Sequence, residues 1–320
     1  MREHLPPGNQ TFSMFAVDKI VDNTITDFDL FINISDHLIL YGSLGYHWLK
    51  EELENLLKHG HTHFLIRHED LTKVKMYEEI NRLPRVDMHQ GPKERIQTIE
   101  QIGASFIKCL YEGELTPACV EKAETIATSM TQCIMEDNSC IQLLSGLADY
   151  DQYVYYHSIR VGMYSLAIAI EMGLTDETKL REIALGGIFH DIGKKDVGLN
   201  IINKVGALTN GEWKIMRSHP ILGHNVVKDS ILSHVPREIV LHHHEKLDGS
   251  GYPDGLDKNS ILPEVQIACM ADIFDALTSS RSYQQKRSRY EALDFIKHKM
   301  LTQNHVANEP YRGLIHCLAK

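Results

Sequence analysis

"GGIFHDIGKKDVG", residues 186 to 198, decides the fold. It sets His190 and Asp191 side by side at the end of the helical stretch "TDETKLREIALGGIFHD", whose acidic first turn suits a helix N-terminus. Adjacent residues on a helix point about 100° apart, so this pair cannot chelate one ion by spacing alone. It can serve two ions if the aspartate bridges them. That demands further ligands from other helices.

The rest of the chain offers such ligands. His157 sits inside "YDQYVYYHSIRVGMYSLAIAIEMG", a long apolar segment closed by Gly173. His219 ends the helix capped at Thr209, and His243 and His244 lie in "HHHEKLDGSGYPDGL", residues 242 to 256. Asp272 falls in "QIACMADIFDAL", which reads as a buried helix. A carboxylate and several imidazoles within apolar helices cost free energy unless they have partners. A shared metal pair removes that cost, with ligands that suit iron, manganese or zinc. Any one of these histidines alone reads as an ordinary core or surface residue. All of them in one helical region read as a metal site, with His242 as a helix neighbour and Asp275 as structural.

Further out, Thr209 with Glu212 and Ser288 with Glu291 match the capping box, and Thr116 with Pro117 opens another helix. The first part of the chain is different. "FDLFINI" and "HLILYG" flank a Ser35-Asp36 turn as a hairpin, "GYHWLKEELENLLKHG" has helical spacing, and "HFLIR" is a third strand. His59, His61 and His63 alternate there, but without carboxylate or thiolate partners at ligand spacing they read as loop histidines. "RLPRVDMHQGPKE", Arg82 to Glu94, reads as a linker. The expected fold is mainly α, with a small α+β unit over 1–85, a linker and connecting helix over 86–140, and a helical catalytic domain over 141–320.

Composition removes several function classes. The net charge of -10 argues against a surface for polymeric nucleic acid. Six cysteines without a CxxC pair suit reduced thiols, the opening "MREHLPPGNQTF" is not a secretory signal, and no apolar run is long enough to span a membrane. A cytoplasmic location is expected.

With these residues in place, the chain resembles the HD-GYP family of bacterial cyclic di-GMP hydrolases, built on the HD phosphohydrolase fold. The likeness runs in order through "HSIRVGMYS", "GIFHDIGKKDVG", "TNGEWKIMRSHPILG", "HHHEKLDGSGYPDGL" and "IACMADIFDALTSSRSY". It implies that His157, His190, Asp191 and Asp272 hold one divalent metal ion. Asp191 then bridges to a second ion completed by His219, His243 and His244. Iron or manganese is the expected metal. Lys194 and Arg281 are implied as phosphate-binding cations, and Gly251, Tyr252 and Pro253 as the loop beside the substrate. The implied reaction is attack by a metal-bridging hydroxide on cyclic di-GMP, giving pGpG, with a second round to GMP. Docking of a GGDEF-domain partner on the GYP loop and a homodimer are partners the resemblance admits.

Three positions depart from the family pattern. Tyr153 stands where some members carry a glutamate that supports a third metal, so a binuclear centre is expected. Gln284 replaces a phosphate-binding lysine, and Ser282 replaces a proline. Gln284 motivates a second reading, the same chemistry on cyclic GMP-AMP or another phosphoester. A third reading, from another class, is a module that binds the nucleotide or a GGDEF partner without turnover.

Overall fold

The computed structural model describes residues 11–35, 37–86, 91–144, 153–202, 204, 206–279 and 286–319. The chain divides into two compact units, Met1–Arg85 with Thr116–Thr125, and Val86–Leu115 with Ile126–Lys320.

In the first unit, β1 (Phe12–Ala16), β2 (Leu30–Ile34), β3 (His37–Gly42), α1 (Lys50–Lys58), β4 (His63–Arg67) and α2 (Leu71–Val86) follow one another. The strands form one antiparallel sheet in the order β1-β4-β2-β3. β2 and β3 form the expected hairpin; Asp36 of its turn lies outside the described residues. β1 was not anticipated; it pairs along its whole length with β4. The α1 helix starts later than its apolar spacing suggests, because Leu49 is extended and caps it. Trp48 therefore enters the core beside Phe64 and Tyr46 and donates its indole N–H to Thr26 Oγ1 at 3.2 Å. Gly60 closes the helix end with φ +82°. His59 bonds the Asn55 carbonyl and His63 the Thr62 hydroxyl, both at the surface. The stretch Arg82 to Glu94, read as a linker, is helical at both ends. α2 runs through Val86, and α3 (Pro92–Glu112) begins six residues later.

Among its described residues the second unit has helices and no strand beyond one isolated bridge, Asp248 to Asp257. After α3 and α4 (Pro117–Glu136), the latter counted with this unit from Ile126 on, come α5 (Tyr153–Glu171), α6 (Glu177–Phe189), α7 (Leu199–Ile202), α8 (Asn210–Met216) and α9 (His219–Val227). α10 (His234–His242), α11 (Pro263–Thr278), α12 (Arg289–Ile296) and α13 (Asn308–Ala319) complete it. α5 is the central rod, with α3, α6, α11 and α13 packed around it. Ile159, Val161, Met163, Leu166 and Ile168 of α5 are all fully buried. Each such side chain contributes roughly 2 kcal/mol of hydrophobic stabilisation. α5 and α6 approach backbone to backbone. A Cβ on Gly187 would lie 2.6 Å from Gly162 Cα, so only glycine permits this crossing. That contact brings His157 of α5 against His190 at the end of α6.

The caps explain where several helices start. Asp176 accepts from the amides of Thr178 and Lys179 at the start of α6. The Thr209 and Ser288 capping boxes are both formed. His219 is placed differently from its reading as the end of the Thr209 helix. That helix, α8, stops at Met216, and His219 opens α9, where Pro220 sits in the first turn without a helical N–H to lose.

Candidate metal centre

Seven side chains converge in the second unit. His157 projects from α5, His190 caps the C-terminus of α6 with Asp191 next to it, and His219 comes from the first residue of α9. His243 caps α10, His244 follows, and Asp272 lies in the middle of α11. Asp191 stands at the centre. Its Oδ2 faces His190 Nε2 at 3.2 Å and His157 Nε2 at 3.6 Å. Its Oδ1 faces His219 Nε2 at 3.2 Å and His243 Nε2 at 3.9 Å. Asp272 Oδ1 lies 3.1 Å from His157 Nε2, and its Oδ2 lies 3.9 Å from His244 Nδ1. The two oxygens of Asp191 thus divide the imidazoles into two sets.

The other ring nitrogens are held from outside. His190 Nδ1 donates to the Gly187 carbonyl at 2.7 Å and His219 Nδ1 to Met216 at 2.8 Å. His243 Nδ1 lies 3.1 Å from the carbonyls of Ile239 and Val240. A carbonyl can only accept, so each of these Nδ1 atoms carries a proton and each Nε2 is the ring nitrogen that faces inward. His157 Nδ1 donates instead to Asp275 Oδ2 at 2.7 Å.

The electrostatics follow from crowding. Burial works to raise the Asp191 carboxyl, but His190 and Lys194 outweigh it and hold it well below its ordinary value. Asp272 is buried too, and is held down by its hydrogen bond to His157 and by His244 and His190. Burial and the neighbouring His244, His190 and His219 push His243 well down. Burial and His219 bring His244 to about 3. His157 goes the other way: burial lowers it, and the carboxylates of Asp272 and Asp275 more than reverse that. His190 Nε2 and Asp191 Oδ1 are buried without a hydrogen-bond partner. Imidazole nitrogens and two carboxylates converging on buried space fit divalent cations of borderline softness. Three sets have donor atoms within 4.8 Å of one another: His157, His190 and Asp272; His190, Asp191 and His243; His219, His243 and His244.

Lys194 lies one short turn after Asp191, and its Nζ bonds Asp191 Oδ2. Tyr252 is within reach of the centre, its ring 4.8 Å from the His244 ring and its N–H donating to the His244 carbonyl at 3.3 Å. Gly251 is pressed on the preceding chain, where a Cβ would lie 2.5 Å from Glu245 Cα, and Pro253 follows Tyr252 in the same bend. Arg281, Ser282 and Gln284 lie outside the described residues. The backbone of Tyr153 opens α5.

Several contributors were not singled out from the sequence. Asp275, read as structural, orients His157, and its Oδ2 also accepts from the Ser279 hydroxyl at 3.2 Å. Its position three residues after Asp272 was the available signal. Tyr111 of α3 donates its hydroxyl to the Asp191 carbonyl at 2.9 Å across eighty positions of sequence, and no local pattern announces it. Glu245 is buried and accepts the backbone N–H groups of Asp254, Gly255 and Leu256, which fixes the loop after Tyr252. His242 completes that hold, with Nε2 3.0 Å from Asp254 and Nδ1 3.1 Å from Glu238.

The HD domain family profile matches residues 142–305, just over half of the chain. Among curated proteins, the chain is 34% identical over 172 residues to a cyclic di-GMP phosphodiesterase of Pseudomonas aeruginosa, covering 53% of this chain and 41% of that one. It is 32% identical over 168 residues to 3'3'-cGAMP-specific phosphodiesterase 1 of Vibrio cholerae, covering 52% and 39%. The chain therefore spans about two fifths of the length of these relatives. Among solved structures, an HDG"Y"P protein from Bdellovibrio bacteriovorus has the same fold, with a TM-score of 0.66 at 19% identity over 97% of this chain and all of the other.

Proposed function

This chain belongs to the HD domain family, and from that premise we propose that it is a metal-dependent phosphodiesterase that opens cyclic di-GMP to linear pGpG and carries it on to GMP. In this reading His157, His190 and Asp272 hold one divalent ion, and His219, His243 and His244 hold the second, with Asp191 shared between them. The observation that carries it is the division of the two Asp191 oxygens between the two imidazole sets. Iron or manganese suits a donor set of imidazole and carboxylate. Bound ions there supply Lewis acidity toward the phosphoryl oxygens and make water a nucleophile at neutral pH.

The chain's own groups do the rest. The Lys194 ammonium beside Asp191 takes a non-bridging phosphoryl oxygen, a fixed cation where phosphoryl charge develops. Arg281 is the second cation of the proposal. Asp275 and four backbone carbonyls, those of Gly187, Met216, Ile239 and Val240, keep the imidazoles aimed. Burial of His190, Asp191 and His243 keeps water from competing for them.

The test is turnover of cyclic di-GMP by anaerobically prepared protein loaded in turn with iron and manganese, beside an Asp191→Ala control. Product that disappears in the control supports the proposal. No product from protein carrying two ions per chain sinks it. Gln284, in place of a phosphate-binding lysine, favours a second reading, the same chemistry on cyclic GMP-AMP. Its support is the likeness to the Vibrio cholerae enzyme named for that substrate. A larger kcat/KM for cyclic GMP-AMP than for cyclic di-GMP would select it.

A further inference from the structure

The Tyr252 ring has two close neighbours. The His244 ring lies with its centroid 4.8 Å away and its plane tilted by 31°. Over the Tyr252 ring sits the Arg217 guanidinium, its Cζ 4.4 Å from the centroid. The loop that carries Tyr252 is held by several backbone contacts. Glu245 accepts three backbone N–H groups of the loop, the Tyr252 N–H bonds the His244 carbonyl, and Gly251 leaves no room for the loop to shift inward. Arg217 lies two residues before His219, so its own backbone is tied to the centre as well.

Arg217 is exposed, and among the described residues no carboxylate lies within ion-pair distance of it. An arginine on a protein surface of net charge -10 has many acidic groups to pair with, yet this one is held on the face of Tyr252, the ring that neighbours His244. Stacking leaves the five N–H donors of the guanidinium edge free and pre-aimed, the geometry that binds a phosphate through two parallel hydrogen bonds. Lys194, the other cation of the site, is bound to Asp191.

We infer that Arg217 is a substrate-binding residue that takes the second, non-reacting phosphate of the cyclic dinucleotide, with Tyr252 as the spacer that fixes its distance from His244. The inference rests on the phosphodiesterase reading above. A cyclic dinucleotide carries two phosphates on opposite sides of its ring. While one meets Lys194 and the centre, the other needs a cation at the rim. Arg217 supplies it, and so meets part of the charge that the family pattern places at position 284.

The test compares wild type, Arg217→Ala and Arg217→Lys as full-length, manganese-loaded protein. The substrates are cyclic di-GMP and bis(p-nitrophenyl) phosphate, a diester with a single phosphate. The expected result for Arg217→Ala is a KM for cyclic di-GMP raised about tenfold with kcat within about twofold, the signature of a contact made equally in ground and transition states. Arg217→Lys recovers part of the loss, and the simple diester loses markedly less than the dinucleotide. Equal losses on both substrates, or loss of bound manganese, would make Arg217 a prop for Tyr252 and His244 and overturn the inference. An unchanged KM overturns it too. If wild type cleaves only the simple diester, the cyclic di-GMP reading fails separately. Calorimetric binding of cyclic di-GMP then decides the role of Arg217: about tenfold weaker binding in Arg217→Ala supports it, and equal or absent binding sinks it.

Discussion

The Asp275 carboxylate accepts the Nδ1 proton of His157 at 2.7 Å, and this bond decides which nitrogen of the ring faces Asp191 and Asp272. Asp275→Asn keeps the shape but removes the charge that raises the basicity of the ring. Metal affinity should fall roughly tenfold to a hundredfold, as it does when a partner of a ligating histidine is lost. Competition with a chelator measures this, and an unchanged affinity would return Asp275 to a structural role. The crowded imidazoles also set a pH dependence for the metal-free protein. His244 is lowered from 6.5 to about 3, and His243 is lowered as well. Between about 3 and 6.5 the unfolded chain holds the His244 proton and the folded chain does not, so stability falls as pH falls through that window, and the lowered His243 acts in the same direction. Asp191 and Asp272, held below their ordinary values, lose their contribution only at lower pH, as each protonates in the folded state. His157 has the opposite sign: its contribution is complete below 6.5 and is lost as pH rises through its raised value. The melting temperature of metal-free protein should therefore drop from pH 7 to pH 4, and His244→Gln should flatten the slope. Parallel slopes for the two proteins would refute this account.

At the scale of elements, the candidate metal centre depends on how closely α5 and α6 cross. Gly187 makes that crossing possible, and its carbonyl also holds His190 Nδ1. Gly187→Ala would drive a methyl into the Gly162 backbone, which cannot yield as a flexible side chain would. We expect a loss of about 1–3 kcal/mol in urea unfolding, the usual range for overpacking. Metal content should fall with it, since His157 and His190 move apart together with their helices. Full metal content in a destabilised variant would separate the packing role from the ligand role. The elements themselves were largely visible in the sequence. The Thr209 and Ser288 capping boxes are local chemistry, and each is where the spacing puts it. The exceptions have tertiary causes. Trp48 is drawn out of α1 by the aromatic core, and Arg82–Val86 stays helical although its composition reads as linker.

For the whole molecule, the segment Thr116–Thr125 belongs with the first unit, far from it in sequence. Lys122 Nζ meets Asp27 Oδ2 at 2.7 Å with both side chains largely buried, and Glu121 accepts the Ile25 N–H at 2.8 Å. Lys122→Ala leaves Asp27 buried without its cation, a loss of about 3 kcal/mol by analogy with other broken buried pairs. Metal stoichiometry should be unaffected, because every donor lies in the second unit. Calorimetric melting and metal analysis of the variant check both halves. A drop in bound metal would show that the first unit supports the centre. The sequence by itself determined the helical class and the two capping boxes, and it picked out the histidines and aspartates that the structure brings together, because these rest on residue type, local spacing and the order of motifs along the chain. Only the tertiary structure decided how the two oxygens of Asp191 divide the imidazoles, that Asp275 and Tyr111 serve the centre, and that Arg217 covers Tyr252. These are contacts between helices distant in sequence, set by packing around α5. No periodicity along the chain encodes which face of one helix meets which face of another.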